Sequence, residues 1–157
     1  MKIAEYLDKD SILIGLKGES KKKIIEEIAD FLADKKKIGS RWKKDIIKQI
    51  LKRESLGSTG IGQGIAIPHC RTERVKDIVL FFANSRGVEF NSLDGEPVRI
   101  VFFMLTPSGQ EEIKVQKSME LLSHITKLLK DHFFREALSR AATSREVMEV
   151  IEKEENR

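Results

Sequence analysis

The sequence predicts an α/β fold, a small mixed β-sheet with helices packed on both of its faces. Two amphipathic helical patterns precede residue 57, short β-branched or aromatic runs follow up to residue 105, and helical patterns return after residue 108. No internal repeat or low-complexity linker interrupts this order. With 157 residues, 40% of them hydrophobic, the chain can bury one core, so we expect residues 1–157 to form a single domain.

The N-terminal part is expected to contain a short strand followed by two helices. The apolar segment at 11–16 is typical of a strand. Ser20 precedes apolar residues at helical spacing, which predicts a helix over 20–37, and Gly39 suits the left-handed residue that ends it. A second apolar stripe predicts a helix over 41–54.

Three apolar runs in the middle of the chain are predicted to be strands of a buried sheet. Each run is bounded by Gly, Pro, Asn or Asp residues. The runs are IAI at 65–67, DIVLFFA at 77–83 and VRIVFFML at 98–105. The Asp94-Gly95 pair predicts a hairpin or tight connection between the last two, and Pro107 is expected to end the third strand.

The C-terminal part is predicted to contain three helices. Ser108 followed by Glu111 resembles a capping box for the first of them. We expect its apolar stripe to consist of Met119, Leu122, Ile125 and Leu129. A short helix is expected over 131–141, and Thr143 with Glu146 forms a second capping box for the last helix.

The composition restricts the class of protein. The 29 Lys and Arg residues against 25 Asp and Glu give a net charge of +4, and the basic runs lie among acidic residues, which is typical of solvated helix surfaces. Without a continuous basic stripe, and with one Trp and one Tyr, we expect no nucleic-acid partner.

No secretory leader pattern or 18-residue apolar run occurs, so we expect no membrane insertion. A single cysteine, Cys70, favours a cytoplasmic location.

Four of the ten glycines lie in GSTGIGQGIAIPHC, residues 57–70. A dinucleotide-binding fingerprint is excluded because the predicted helix precedes this stretch, and a P-loop is excluded because no Gly-Lys-Ser/Thr ends it. Two interpretations stay open: a loop that turns a helix into a strand, or a cradle of main-chain amides and hydroxyls for an anion. The candidate cradle residues are Ser58, Thr59, Gly60, Gly62 and Gly64.

The histidine after these glycines is the candidate nucleophile, with a purely structural histidine as the alternative. If the segment is extended, His69 and Arg71 share one face of the strand and Cys70 faces the other, which argues against a His–Cys dyad. A neutral imidazole can attack phosphorus and form a labile phosphohistidine, while the neighbouring guanidinium holds phosphoryl oxygens. No residue cluster has metal-ligand spacing, so we expect neither a metal nor a bound cofactor. Cys70 is expected to be a core residue.

The stretch RESLGSTGIGQGIAIPHCR, residues 53–71, closely resembles the active-site signature of type-2 IIA domains. These belong to the bacterial phosphoenolpyruvate-dependent sugar phosphotransferase system, in its fructose and mannitol class, which includes the nitrogen-regulatory IIA proteins. The likeness extends over nearly the whole chain. It implies a phosphotransferase component in which His69 accepts a phosphoryl group from the phosphocarrier protein HPr and passes it to a IIB component. It also implies that Arg53 lies near the phosphorylated histidine.

One position departs from the pattern of the family. The family usually has a second active-site histidine at the start of an H-L-x-x-L pattern, and Ser118 occupies that place here. His124, six residues later, points in a different direction at helical pitch, so it does not replace the missing histidine. His132 is expected on the surface.

Two functional hypotheses follow from the resemblance. The first is a phosphoryl carrier for sugar uptake that uses His69, Arg53 and Arg71. The second is a nitrogen-regulatory-type protein that binds a regulated target in a phosphorylation-dependent way, and the missing second histidine favours it. An unrelated histidine-nucleophile hydrolase is a third reading, but the motif offers it no general acid or base partner.

Overall fold

The computed structural model describes residues 1–109 and 112–157, which form five α-helices and one six-stranded sheet. The helices are α1 Lys21–Asp34, α2 Lys43–Ser55, α3 Glu112–Leu128, α4 His132–Arg140 and α5 Ser144–Glu155. The strands are β1 Ile12–Leu13, β2 Gly60–Gly62, β3 Ile65–Ala66, β4 His69–Thr72, β5 Val79–Val88 and β6 Val98–Pro107. Glu111, the second member of the expected capping box before α3, lies outside the described residues.

The sheet is built around β6. Strand β5 pairs antiparallel with one edge of β6, and β1 continues the sheet parallel to β5. On the other edge, β3 and β4 pair one after the other with β6, both in parallel. Strand β2 pairs antiparallel with β3 and completes a mixed sheet, as the sequence predicted.

Each face of the sheet is covered by its own set of helices. Alternate residues of β6 point to opposite faces because side chains in a strand have a period of two. Val101, Phe103 and Leu105 join a buried cluster with apolar residues of α1 and α2. Phe102 and Met104 join a second cluster with apolar residues of α3, α4 and α5. The predicted α/β class, with helices on both faces, is therefore confirmed.

The ends of several elements differ from the prediction. Helix α1 stops at Asp34, and the left-handed residue after it is Lys36, with φ of 60°, whereas Gly39 has an ordinary φ of −70° and precedes a 3-10 turn. The glycine next to the turn therefore does not end the helix. Ser20 caps α1 as expected, by accepting a hydrogen bond from the amide of Lys23.

The apolar stripe predicted for α3 is correct at Ile125 and Leu129, which are buried, and at Leu122, which is partly buried, but wrong at Met119. Ser118, Leu121 and Ile125 are buried, whereas Met119 is 62% exposed. The prediction included Met119 because it is apolar, but the packing follows the helical face that meets β6. Met119 consequently lies at the edge of that contact, where it remains accessible.

Candidate functional site

His69 is the first residue of β4 and is partly buried. It pairs with Met104 of β6, and Arg71 pairs with Thr106. Partner residues in adjacent strands present their side chains on the same face of a sheet, so these four side chains form one block on the face that carries α3. The extended conformation expected for this segment therefore places His69 and Arg71 together.

The tautomer of His69 is fixed by a main-chain carbonyl. The Nδ1 atom lies 2.7 Å from the carbonyl oxygen of Ile67. A carbonyl oxygen only accepts hydrogen bonds, so in the neutral ring Nδ1 carries the proton and donates it. The lone pair of the neutral imidazole is consequently on Nε2, which is the nitrogen available for attack on an electrophile.

His69 lines a cavity of about 260 Å³ between the sheet and α3. The sheet contributes His69, Cys70, Arg71, Met104 and Thr106, and α3 contributes Val115, Ser118, Met119 and Leu122. The helix residues follow the i, i+3, i+4, i+7 spacing of one helical face. Ser118, the residue at the expected second-histidine position, therefore shares a cavity with His69.

Cys70 is a weak nucleophile in this fold. Its side chain packs against the cluster formed with α1 and α2, on the sheet face opposite to His69 and Arg71. Burial raises the pKa of the Cys70 thiol to about 11, so the thiol is protonated near neutral pH. Although Cys70 also borders the cavity of His69, its packing against the core and the raised pKa of its thiol both argue against a His69–Cys70 dyad.

Two consecutive residues at the end of α2 hold the glycine loop. Arg53 donates from Nη1 to the carbonyl oxygen of Gly57, at 2.8 Å. Glu54 is 6% exposed, and its carboxylate accepts hydrogen bonds from the amide of Thr59, at 2.9 and 3.1 Å, and from its hydroxyl, at 2.7 Å. Lys21 lies 3.8 Å from the same carboxylate. A buried carboxylate with several donors fixes the backbone it contacts.

The glycine loop is a small hairpin, residues 57–66, which we call the glycine hairpin. Gly60 pairs with Ala66, and the amide of Ile67 donates to the carbonyl oxygen of Thr59 at 3.0 Å. The strand pairs of the hairpin end at Gly60 and Ala66 and include neither Gly57 nor His69. The chain reverses at Gly62 to Gly64, at the other end of the hairpin.

Most polar groups predicted for an anion cradle are bonded to the protein itself. The hydroxyl of Ser58 donates to the carbonyl of Phe90 and accepts from the amide of Gly60. The hydroxyl of Thr59 donates to Glu54. The amide of Gln63 donates to Asp94 at 2.8 Å, and this bond is the main reason that the pKa of Asp94 lies below its usual value.

The glycines of the hairpin are explained by close packing and by backbone conformation. A Cβ on Gly60 would lie 2.3 Å from the hydroxyl oxygen of Ser92. Gly62 and Gly64 have φ of +94° and +79°, which side chains disfavour. Neither of these two turn glycines lines the cavity of His69 in the described part of the chain.

The other two histidines lie elsewhere. The Nε2 atom of His124 is 2.7 Å from the carboxylate of Glu155, which also accepts from the amides of Ile3 and Ala4, so His124 ties α3 to both ends of the chain. His132 is exposed and its ring contacts Phe133. Neither joins the cavity of His69.

Larger cavities exist, but they do not contain the motif. One of about 520 Å³ is lined by residues around Trp42 and Arg74 and holds no group predicted to react. Within residues 1–109 and 112–157, no group of three or more His, Cys, Asp or Glu side chains could hold a metal ion. No helix in these ranges has the length and apolar character needed to cross a membrane.

Two site residues were missed by the sequence reasoning. Glu54 stood within the Arg-Glu pair, but its burial could not be known before the hairpin was seen to fold back on α2. Thr106 could have been found by strand alternation, because it continues the face of Phe102 and Met104. It was overlooked because it lies just beyond the apolar run that predicted β6.

Comparison with known proteins gives a match to a family model over residues 5–154, described as phosphoenolpyruvate-dependent sugar phosphotransferase system, EIIA 2. The PTS system fructose-specific EIIABC component of Bacillus subtilis is 34% identical over 152 residues. That alignment covers 96% of this chain but 23% of the relative, so the chain spans about a quarter of that protein.

Solved structures share the fold. The crystal structure of nitrogen regulatory protein IIA-Ntr from Neisseria meningitidis superposes with a TM-score of 0.83 and 32% identity, covering 95% of this chain and 98% of that one. The complex of enzyme IIA mannitol with phosphorylated enzyme IIB mannitol from Escherichia coli matches with a TM-score of 0.73 and 23% identity, covering 94% of this chain and 97% of that one.

Proposed function

The chain belongs to the EIIA 2 family of the phosphoenolpyruvate-dependent sugar phosphotransferase system, and we propose that it is a phosphoryl carrier whose acceptor is Nε2 of His69. The single observation that carries the proposal is the 2.7 Å contact between Nδ1 of His69 and the carbonyl of Ile67, at the wall of a cavity. That contact leaves the lone pair on the nitrogen that faces away from the backbone.

The proposed transfer conserves atoms and charge. Nε2 attacks the phosphorus of a phosphohistidine on the donor, and a new N–P bond forms. The donor's P–N bond breaks with its electron pair returning to the donor ring, which leaves as neutral imidazole because its other nitrogen keeps its proton. The proton on Nδ1 stays in place. The phosphorylated ring then carries a positive charge, which the carbonyl dipole of Ile67 stabilises.

Two guanidinium groups are proposed to neutralise the phosphoryl oxygens. Arg71 lines the same cavity as His69 and its side chain is exposed, so it can reach an incoming group. Arg53 is held at the carbonyl of Gly57, at the start of the glycine hairpin. Its proposed role therefore requires Arg53 to leave this carbonyl when the phosphoryl group is bound.

The remaining cradle residues are proposed to act mainly by holding the backbone. Ser58, Thr59 and Gly60 donate to protein acceptors, and Gly62 and Gly64 form the far turn. Their contribution to phosphoryl binding would then be indirect, through the position of Gly57 and of the segment that leads into β4 at His69.

The partners are proposed to be HPr as donor and a IIB component as acceptor, docking in turn over the surface at the cavity of His69. Met119, which lines that cavity, is an apolar residue with 62% of its surface exposed. Exposed apolar residues beside a reactive group suit a short-lived protein contact. We further propose that residues 1–157 act as one cytoplasmic domain and need no bound cofactor.

The first experiment is intact-mass analysis after incubation with phosphoenolpyruvate, enzyme I and HPr. We expect one acid-labile phosphoryl group on the parent protein and none on His69→Ala. Arg53→Ala should remain folded but accept the group more slowly, because removal of a positioned cation raises the barrier by roughly 2–4 kcal/mol. Equal labelling of the parent and His69→Ala would move the acceptor to another residue.

A regulatory role is the second candidate, and Ser118 in place of the second histidine is the observation that favours it. The test is onward transfer from the phosphorylated chain to a fructose-class IIB component. A carrier for sugar uptake should lose its label to IIB within the time of the assay. A label that persists with IIB, but changes the binding of a regulated protein, would favour the regulatory role.

A further inference from the structure

We infer that the hydroxyl groups of Thr106 and Ser118 hold the phosphoryl group on His69 by donating hydrogen bonds to its oxygens. This inference rests on the proposed function and deepens it. The two hydroxyls would take the place that the family usually gives to a second histidine. They would do so from two different elements, strand β6 and helix α3.

Strand register places Thr106 beside the reactive histidine. Thr106 is directly paired with Arg71 and follows Met104, the partner of His69, by two residues. Its side chain therefore lies on the same face as His69, diagonally across the block of four side chains. Thr106 is 6% exposed and lines the cavity.

The hydroxyl of Thr106 is not used in a hydrogen bond that stabilises the described part of the fold. Among the described residues it makes no hydrogen bond, unlike Thr59 and Thr126, whose hydroxyls donate to Glu54 and to the carbonyl of Leu122. Among the described residues, the side-chain atoms enclosed from solvent without a partner are Oε1 of Gln49 and Oγ of Ser92, so the hydroxyl of Thr106 keeps access to solvent. Because Thr106 lines the cavity, its hydroxyl is available to donate to an incoming phosphoryl oxygen.

Ser118 approaches from the opposite wall. It is 3% exposed, and its hydroxyl donates to the carbonyl of Lys114, one turn earlier in α3, at 2.9 Å. Such a bond to the preceding turn is weak, whereas a hydrogen bond to a charged phosphoryl oxygen is about twice as strong as a neutral one. The inference therefore requires the Ser118 hydroxyl to exchange the carbonyl of Lys114 for a phosphoryl oxygen in the cavity.

The chemistry of this pair differs from that of an imidazole. Each hydroxyl donates a hydrogen bond to phosphoryl oxygen and keeps its proton, so the transfer step itself is unchanged. The pair adds no charge to the cavity, and Arg71 remains the cation that lines it. The cavity therefore combines one cation with two neutral donors around a group that carries negative charge.

The test compares Thr106→Val, which keeps the shape and removes the hydroxyl, with Thr106→Ser, which keeps the hydroxyl. The rate of phosphoryl transfer from phospho-HPr is measured by rapid quench and mass analysis. We expect Thr106→Val to be about tenfold to a hundredfold slower, the range for loss of a hydrogen bond to a charged group. Thr106→Ser should stay within about threefold of the parent.

Ser118→Ala gives the second arm, and Thr126→Val is its matched control. Thr126 also bonds to the preceding turn of α3 but does not line the cavity. We expect Ser118→Ala to slow transfer by about tenfold and Thr126→Val to leave it unchanged. If circular dichroism shows that Thr106→Val is unfolded, Ser118→Ala decides the question by itself.

The outcomes separate the two proposals. A parent protein that takes no label on His69 refutes the phosphoryl carrier itself. A labelled parent with Thr106→Val and Ser118→Ala both transferring at the parental rate overturns only the role of the hydroxyls. Equal slowing of Thr106→Val and Thr106→Ser would also overturn it, because packing rather than the hydroxyl would then be responsible.

Discussion

The glycine hairpin and strand β4 are neighbours in sequence, but different forces fix their residues. In the hairpin, Gly60 packs against Ser92 and the amide of Gln63 is bonded to Asp94, so its polar groups are directed into the protein. In β4, one face presents His69 and Arg71 to a cavity and the other presents Cys70 to the core.

The two parts of this sequence motif therefore differ in role: the glycine hairpin has a structural role, and β4 carries the candidate acceptor. The hairpin requires left-handed backbone conformations at Gly62 and Gly64, and it connects α2 to the sheet. Strand β4 is a regular extended strand, and the reactivity that we propose for His69 depends on the alternation of side chains and on the carbonyl that sets its tautomer. In this glycine-rich motif, the turn glycines Gly62 and Gly64 are explained by backbone conformation and Gly60 by close packing.

The largest expected effect concerns the buried face of β4. With burial raising the pKa of the Cys70 thiol from 9.0 to about 11, the thiolate fraction near pH 8 falls by about a hundredfold. We expect iodoacetamide to alkylate the folded chain about a hundredfold more slowly than the urea-unfolded chain. Mass spectrometry over time measures both rates. Rapid alkylation of the folded chain would remove the distinction between the two faces.

The next effect concerns the packing of the hairpin. In Gly60→Ala the new Cβ would lie 2.3 Å from the hydroxyl oxygen of Ser92 and 3.2 Å from its Cα atom. We expect a loss of about 1–3 kcal/mol in the free energy of unfolding, the usual cost of overpacking, measured by urea denaturation.

Two variants sharpen this prediction. Gly57→Ala is the matched control, because a Cβ there meets nothing within 4 Å and the residue has no left-handed φ. It should be nearly neutral. In the Ser92→Ala background, Gly60→Ala should lower the free energy of unfolding by less, because the Ser92 hydroxyl nearest to the new Cβ has been removed. Equal costs in both backgrounds would contradict the proposed clash.

The smallest effect concerns pH and the tip of the hairpin. Hydrogen bonds from the amides of Gln63 and Glu96 lower the pKa of Asp94 below 3.8. Its carboxylate therefore stabilises the fold above that pH, and the contribution is lost as pH falls through the lowered pKa. We expect Asp94→Asn to lower the thermal unfolding midpoint slightly at pH 6 and less at pH 3. An equal decrease at both pH values would contradict this assignment.

Much of the fold could be predicted from the sequence because periodicity reports which faces are apolar. The apolar run at 98–105 and the capping residues Ser20 and Thr143 indicated real elements. The end of α1 could not be predicted, because Lys36 adopts the left-handed conformation that glycine normally takes. The exposure of Met119 could not be predicted either, because it depends on how α3 is rotated against the sheet.

By itself, the sequence determined the α/β class, the candidate acceptor His69 and the side of the strand that Arg71 shares with it. These follow from local rules, since alternation and helical pitch act over a few residues. Tertiary structure decided the partner of Nδ1, the burial of Glu54 and the meeting of Thr106 with Ser118 in one cavity. Such contacts join residues far apart in the chain, and their positions depend on packing of the complete sheet and helices, which no short sequence pattern encodes.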